Sequence, residues 1–368
     1  MPGKRNIFES EYVIDGARMD LTPGEMLRGC MREATAAQSA GEWEPVIDES
    51  IDPAPGIAAY EPSRISRYLS LTRQATREFP SFFAGPYTRI RLLRSLADVL
   101  WHKGKFRLED LSLKACWKWK DGRLGDMASF YDSVSQTVDC LDGLSLDLHS
   151  YRCAAPEGCN EVVFTPVLSG ESQLDLFGED LGPDSPKMGS RHICKQVLDP
   201  DPDSWIAYVP FDTSEFRLGG SLLAQVTGNH GSGSAPQAAD PDYFEDCFEV
   251  VRELVEDGIL LSGATVGDGG LLTSLDRMTG DSAGAQIDVS DILRAYPGSD
   301  MVHVLFSEVP GVLIQARDSD FDYLDAEFLL QDIAWFPIGH PTPKGRKVSV
   351  VRPSASGIQN ILESLISR

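Results

Sequence analysis

The chain has 368 residues, with 33 Lys or Arg and 56 Asp or Glu, and a formal net charge of −23 at pH 7. This length allows two domains with sizeable cores, and the negative charge argues against nucleic-acid or membrane-surface partners. The sequence shows no signal peptide and no apolar run of the roughly 18 residues that a membrane span requires. Seven scattered cysteines suit a reducing compartment, so we expect a cytoplasmic protein.

The first half of the sequence has helix and strand patterns after an uninformative start. Residues 1–60 have weak periodicity and receive no fold assignment, although Leu27 and Met31 suit a short helix. Beyond them, apolar spacing predicts helices within 86–103 and 130–141, and strands at 111–117, 144–148 and 162–164. The stretch 169–204 is rich in Gly, Pro, Asp and Ser, which indicates a boundary or a long insertion.

In the second half of the sequence, predicted strands and helices again alternate. Apolar runs predict strands at 205–209, 259–261, 287–289, 302–306 and 311–316. Apolar residues at intervals of three and four predict helices that start near Leu222 and after Gly270, and others within 244–255, 321–330 and 358–365. Because strands and helices alternate along the chain, we expect an α+β fold with α/β-type alternation.

Two glycine turns are the clearest signs of a ligand site. Asp268-Gly269-Gly270 lies between a predicted strand and a predicted helix, and Gly219-Gly220-Ser221 precedes another predicted helix. Such turns expose backbone N–H groups at a helix N-terminus, where phosphates and metal-bound nucleotides bind. Tight packing of the turn explains the same glycines without any ligand, so both interpretations stay open.

Several segments occur in a distinctive order between residues 191 and 315. They are Trp205-Ile206-Ala207-Tyr208-Val209, Leu218-Gly219-Gly220-Ser221-Leu222-Leu223-Ala224-Gln225-Val226, Gly258-Ile259-Leu260-Leu261, Asp268-Gly269-Gly270-Leu271-Leu272, Leu305-Phe306-Ser307-Glu308 and Gly311-Val312-Leu313-Ile314-Gln315. Their order and spacing resemble the second half of the synthetase core of phosphoribosylformylglycinamidine synthase, in the aminoimidazole ribonucleotide (AIR) synthetase superfamily. A weaker similarity covers residues 89–149, where Leu113-Lys114-Ala115-Cys116-Trp117 stands for the family's Leu-Ser-Ala-Asn-Trp.

The resemblance implies a two-lobed AIR synthetase-like fold and an ATP-dependent amidation. In that reaction, formylglycinamide ribonucleotide is activated at its amide oxygen by phosphoryl transfer, and ammonia then displaces phosphate. By position, the resemblance implies Asp98, Asp268 and Glu308 as metal ligands. It also implies Gly219, Gly220, Ser221, Asp268, Gly269 and Gly270 as nucleotide-binding residues.

Several polar positions of the family are replaced in this sequence. The family's Glu-Ala-Leu-Thr-Asn segment reads Ser95-Leu96-Ala97-Asp98-Val99, and the lysine of its Pro-Val-Gly-Lys-Asp-Ser segment is missing from Ser145-Leu146-Asp147-Leu148-His149-Ser150. Ala264-Thr265 replaces a His-Asp pair, and Val309 replaces the second acid of Asn-Glu-Glu. A lone carboxylate holds Mg²⁺ weakly, so no residue is assigned a catalytic role. The family's first-half catalytic segment and glutaminase elbow have no counterpart here.

The predicted organisation has five parts. They are an extension of unclear fold at 1–60, an amino-terminal lobe at 61–168, a linker or insertion at 169–190, a carboxy-terminal lobe at 191–350 and a helical tail at 351–368.

The leading hypothesis is a degenerate synthase relative, tied to purine biosynthesis by descent and non-catalytic alone, that serves as a nucleotide-binding or assembly subunit. ATP or ADP with Mg²⁺ is the only cofactor implied, and a purine nucleotide is the implied ligand. Its partner would be a second copy of the chain or a separate chain that supplies the first half of the synthetase. Two alternatives stay open: an active half of the amidating synthetase completed by a partner, and a scaffold protein with no ligand.

Overall fold

The computed structural model describes residues 6–31, 38–39, 46–48, 59–102, 107–156, 158–168, 194–281, 283–343, 345 and 347–351. Its helices α1 to α11 are Pro23–Gly29, Ile65–Gln74, Ala84–Ala97, Val99–His102, Asp126–Gly143, Leu222–Val226, Pro241–Glu256, Gly270–Met278, Ser290–Ala295, Met301–Phe306 and Phe321–Leu330. Its strands β1 to β13 are Tyr12–Ile14, Ala17–Arg18, Gln38–Ser39, Val46–Asp48, Leu111–Lys118, Asp147–Ala154, Glu161–Leu168, Trp205–Pro210, Leu260–Thr265, Ala283–Ile287, Gly311–Ala316, Phe336–Pro343 and Val348–Val350.

The strands form three sheets within the described residues. A four-stranded sheet has the order β3-β6-β5-β7, and a six-stranded sheet has the order β13-β10-β12-β8-β11-β9. A small third sheet has the order β2-β1-β4. Helix α3 packs on β7 and on α5, and α8 packs on β9 and β11. The six-stranded sheet is mostly antiparallel, whereas β6 pairs in parallel with both β3 and β5 in the four-stranded sheet. This mixture of helices with parallel and antiparallel strands confirms the predicted α+β class.

Helix α7 shows how the sequence specifies its own local structure. The Asp240 carboxylate accepts a hydrogen bond from the backbone N–H of Tyr243 at 3.1 Å, and Pro241 occupies the first turn. Both features favour a helix start. Phe244 and Phe248 then fall on one face of the helix and are completely buried. The predicted helix within 244–255 is therefore confirmed, one turn longer at its start.

The apolar core consists of two clusters of buried side chains. One holds the four-stranded sheet with α3 and α5, and it also includes Phe244 and Phe248 of α7 and Ile314 of β11. The other lies around α8, α10 and β10. Apolar packing therefore crosses the predicted boundary between the lobes, and the predicted domain limits stay a prediction.

One predicted strand is wrong. Residues 302–306 belong to helix α10, because the Asp300 carboxylate accepts hydrogen bonds from the backbone N–H groups of Val302 and His303 at 2.8 and 2.9 Å. A short apolar run in a buried position fits either a strand or a helix, and the preceding cap decides between them. The strand predicted at 144–148 lies later in the chain, as β6.

Some elements of the structure were not predicted, and other predicted elements lie at different residues or outside the described ones. Helix α2 and strands β12 and β13 have no counterpart among the predicted elements. The strand predicted at 287–289 lies earlier, as β10, and the helix predicted within 358–365 falls outside the described residues. Among the helices that the structure describes, none combines the length and the apolar character needed to cross a membrane.

Candidate functional site

The glycine turn before α8 brings two acidic residues together. Gly269 and Gly270 have φ angles of 86° and 73°, in the left-handed region that glycine adopts without strain. A Cβ at Gly270 would lie 2.5 Å from the carbonyl oxygen of Ser307. The turn therefore packs directly against the chain that leads into Glu308, which places Asp268 and Glu308 in one site.

Glu308 is completely buried and links the two glycine turns. Its Oε1 atom accepts hydrogen bonds from the backbone N–H of Gly269 at 2.7 Å and of Leu222 at 2.9 Å. These N–H groups belong to the starts of α8 and α6, the two positions where the sequence predicts phosphate cradles. A carboxylate of the protein itself thus occupies the place that an anionic ligand would take.

Residues Gly219-Gly220-Ser221 form a tight turn around this carboxylate. Ser221 is buried and caps α6, because its Oγ accepts a hydrogen bond from the backbone N–H of Ala224 at 3.2 Å. Gly220 has a φ of 73°, and a Cβ there would lie 2.6 Å from the ring of Tyr87. Close packing explains the glycine at this position, and nucleotide binding by the turn stays a prediction.

Arg77 connects both carboxylates. Only 4% of its side chain is exposed. Its Nη1 donates to Asp268 Oδ1 at 3.0 Å and to Glu308 Oε2 at 2.5 Å, and its Nη2 donates to the Gly220 carbonyl at 3.1 Å. The guanidinium lies over the Tyr87 ring, 4.4 Å from its centroid, so an aromatic face also stabilises the charge.

A second arginine, Arg94 of α3, meets the same turn. Its Nη1 donates to Asp268 Oδ1 at 2.8 Å, and its Nη2 donates to the carbonyl groups of Gly267 at 3.2 Å and Glu308 at 3.3 Å. One oxygen of Asp268 therefore accepts hydrogen bonds from two guanidinium groups. The four side chains Arg77, Arg94, Asp268 and Glu308 form a charged cluster, which we call the arginine–carboxylate network.

The network does not fit a magnesium ion. Mg²⁺ needs free oxygen ligands in near-octahedral geometry, whereas both oxygens of Glu308 and Oδ1 of Asp268 already accept hydrogen bonds. Asp98, the third predicted ligand, lies exposed at the end of α3. Among the described residues, no group of three or more His, Cys, Asp and Glu side chains is arranged to hold a metal, so these three carboxylates do not converge.

The network predicts acid sensitivity. Burial by itself would raise the pKa of Asp268, but Arg77, Arg94 and Arg91 lower that pKa to about 2. A carboxylate with a lower pKa in the folded state stabilises the protein above about pH 4, its unfolded value, and that stability is lost as the pH falls towards 2.

We therefore expect the Asp268→Asn variant to lose less stability than wild type between pH 5 and pH 2.5. The difference should be about 1–2 kcal/mol, because solvent screens a side chain that is 35% exposed. Urea unfolding at both pH values measures it. Parallel pH profiles for the two proteins would contradict the assignment of this charge to the network.

The part of the chain that contains Asp268 and Glu308 is similar to known proteins. Residues 213–352 match the family described as AIR synthase related protein, C-terminal domain. The human phosphoribosylformylglycinamidine synthase is 24% identical over 251 residues, which is 68% of this chain and 18% of that protein. The chain is a relative of phosphoribosylformylglycinamidine synthase. The Drosophila melanogaster enzyme of that name is 26% identical over 234 residues, which is 58% of this chain and 16% of that protein.

This synthase relative spans less than a fifth of the length of these curated relatives. Among solved structures, the PurLQS structure from Thermotoga maritima is 10% identical, has a TM-score of 0.49, and is matched over 78% of this chain and 46% of that one. The family match confirms the expected AIR synthetase-like fold for residues 213–352.

A cleft of about 610 Å³ opens beside Arg77 in this synthase relative. The segment before α3, the end of β5 and the turn into β7 line it. Lys118 pairs there with Glu161 at 2.9 Å, and Lys120 and Arg123 contribute exposed side chains. The neighbouring Trp117 and Trp119 are fully buried, so neither ring is available to stack on a ligand in the cleft.

Sequence reasoning did not identify Arg77 and Arg94 as site residues. For Arg94 a signal exists, because it lies on the same helical stripe as Ile90 and Ala97, both of which are buried. A charged residue on a buried stripe requires a buried partner of opposite charge. Arg77 lies between predicted elements, where the sequence pattern carries no comparable signal.

Proposed function

We propose that this synthase relative does not catalyse ATP-dependent amidation by itself and serves as a non-catalytic subunit. The observation that carries the proposal is the arginine–carboxylate network. Asp268 and Glu308, the carboxylates expected to face a metal–nucleotide complex, each accept a hydrogen bond from Arg77 and form an ion pair with it. The relationship to purine biosynthesis would then be one of descent.

The electrostatics of the network support this proposal. Opening the site for Mg²⁺ would separate Arg77 from Glu308, and neither side chain has appreciable contact with water. Removing one partner of a buried ion pair costs about 3–5 kcal/mol, a cost that ligand binding would have to repay. The fixed guanidinium groups also remove the negative field that attracts a divalent cation.

Turnover tests the proposal directly. Purified chain is incubated with MgCl₂, ATP, formylglycinamide ribonucleotide and ammonium, and ADP release is measured beside a full-length phosphoribosylformylglycinamidine synthase as positive control. We expect no release above a blank without protein. Release by the chain alone would contradict the proposal. Release only after addition of a chain that carries the missing first half would favour the active-half alternative.

A second role, nucleotide sensing, is supported by the cleft beside Arg77. The exposed side chains of Lys120 and Arg123 have no hydrogen-bond partner among the described residues, in a chain with a net charge of −23. Basic groups at a cleft attract anions such as nucleotide phosphates. This role requires no displacement of the network.

Calorimetric titration with ADP, with and without Mg²⁺, tests the sensing role. We expect ADP to bind without Mg²⁺ and to bind at least about tenfold more weakly to the Lys120→Ala/Arg123→Ala variant. Lys114→Ala is the matched control, because Lys114 is an exposed lysine of β5 that does not line the cleft. Binding that requires Mg²⁺ would point to a metal site and contradict the proposed role of the network.

A further inference from the structure

Helix α11 is apolar on two opposite sides. Leu324 and Phe328 face the core and are 2% and 0% exposed. Leu329 and Leu330 are 75% and 77% exposed, and Tyr323 is 44% exposed. A surface helix normally has one apolar face toward the core and a polar face toward solvent, so the second apolar side of α11 is unusual.

The exposed apolar residues form one continuous surface. Ala326 is three residues after Tyr323, three before Leu329 and four before Leu330, and residues at these spacings are neighbours on a helix surface. We call these four residues the outer face of α11. Isolated exposed leucines need no explanation, but a contiguous apolar surface with a polar rim marks an interaction site.

The rim of the outer face is strongly acidic. Residues 318–333 contain six acidic residues and no Lys, Arg or His. Burial and the charges of Glu327, Asp257 and Glu253 raise the pKa of Tyr323, so these carboxylates lie close to the outer face. At the end of α7, Arg252 pairs with Glu253 at 3.2 Å and offsets its charge in part. A partner for this surface must bring positive charge around an apolar centre.

The outer face is held in place before any partner binds. The Phe328 and Trp335 rings stack with centroids 5.4 Å apart, and Trp335 Nε1 donates to Asp325 Oδ1 at 3.1 Å. The backbone N–H of Ala334 donates to the Tyr243 hydroxyl at 2.9 Å, which fastens the chain after α11 to α7. A preformed surface loses little conformational entropy on binding, which favours affinity.

We propose that the outer face of α11 docks a basic, amphipathic helical segment of a partner protein. The apolar face of that segment would cover Leu329 and Leu330, and its Lys or Arg side chains would meet the acidic rim. A second copy of this chain is the poorer occupant, because a two-fold contact through this surface would set the same acidic rim against itself. The proposal is independent of whether the Asp268 site is catalytic.

A peptide of defined composition provides the test. The probe is an 18-residue amphipathic peptide of Leu and Lys, labelled for fluorescence anisotropy, and its comparison is the same peptide with Glu in place of Lys. We expect only the basic peptide to bind, with hydrogen-exchange protection of residues 321–330. The Leu329→Ser/Leu330→Ser variant should bind it at least about tenfold more weakly, because two leucines lose their apolar contact.

Two further variants separate specific docking from general attraction to an acidic protein. The Leu21→Ser/Val197→Ser variant removes two other exposed apolar side chains, 51% and 49% exposed, and should leave the affinity unchanged. The Asp322→Asn/Glu327→Gln variant should weaken binding and reduce its dependence on salt. Equal loss in the Leu21→Ser/Val197→Ser variant, or equal binding of the acidic peptide, would overturn the proposal.

Two measurements on the chain without peptide complete the test. Leu329→Ser/Leu330→Ser should leave the melting temperature and the sedimentation of the chain unchanged. A fall of several degrees in melting temperature would show that the chain's own residues cover the face. Conversion of a dimer to a monomer would show that a second copy covers it. Either result would overturn docking of a basic partner.

Discussion

Replacing Arg77 with methionine is expected to lower the free energy of unfolding by about 3–5 kcal/mol. The substitution would leave Glu308 charged, completely buried and without its only cationic partner among the described residues. It would also remove one of the two hydrogen bonds that the carbonyl oxygen of Gly220 accepts, and the bond from Gln225 Nε2 would remain. Urea unfolding at pH 7 measures the loss, and circular dichroism checks that the variant still folds.

A surface pair and a double variant are the controls for this experiment. Arg64 pairs with Glu61 at 2.9 Å while both side chains are more than half exposed, so Arg64→Met should cost less than about 1 kcal/mol. Adding Glu308→Gln to Arg77→Met removes the unpaired charge and should restore part of the loss. If Arg77→Met costs no more than Arg64→Met, the network is not the stabilising element described here.

Replacing Gly270 with alanine is expected to destabilise the protein by about 2–5 kcal/mol, which combines backbone strain with steric overlap. The φ of 73° disfavours any residue with a Cβ, and that Cβ would lie 2.5 Å from the Ser307 carbonyl oxygen and 2.6 Å from the Phe306 carbonyl carbon. Backbone atoms cannot rotate away as a side chain can. The start of α8 must therefore shift, and this shift would lengthen the hydrogen bond that the backbone N–H of Gly269 donates to Glu308 Oε1. Thermal and urea unfolding measure the effect.

The Gly228→Ala variant distinguishes the cost of backbone strain from the cost of steric overlap. It has a similar φ of 78°, but nothing lies within 4 Å of a Cβ at that position. Gly228→Ala should therefore show the strain alone, about 1–2 kcal/mol. A larger loss for Gly270→Ala than for Gly228→Ala is the expected result. Similar losses would mean that the close approach of the two chain segments does not constrain the site.

Elements with both a strong period and an end signal could be predicted from the sequence. Helix α7 has the Asp240 cap, the proline in its first turn and a clear apolar face, and it appears where expected. Residues 302–306 have apolar character without a period, and there the prediction of a strand was wrong. Strand β12 was missed because Pro337, Gly339 and Pro341 interrupt its pattern, and these residues disfavour strands in general.

The candidate site was predictable only in part. The strand–turn–helix order around Asp268 could be predicted, because left-handed glycines at a helix start have a recognisable sequence. That Glu308 would reach both turns depends on the packing of segments 86 residues apart along the chain. Pairing of Arg77 with these carboxylates spans still longer separations, up to 231 residues. Local periodicity contains no information about such contacts.

The position of the Glu308 carboxylate also affects how the stability of the folded protein depends on metabolite concentration in the cell. Enzymes whose sites are completed by a metabolite gain folded-state stability in proportion to the logarithm of its free concentration. Here the starts of α6 and α8 are completed by the protein's own side chain. The contribution of these two helix starts to folded-state stability is therefore expected to be the same at any free concentration of nucleoside triphosphates.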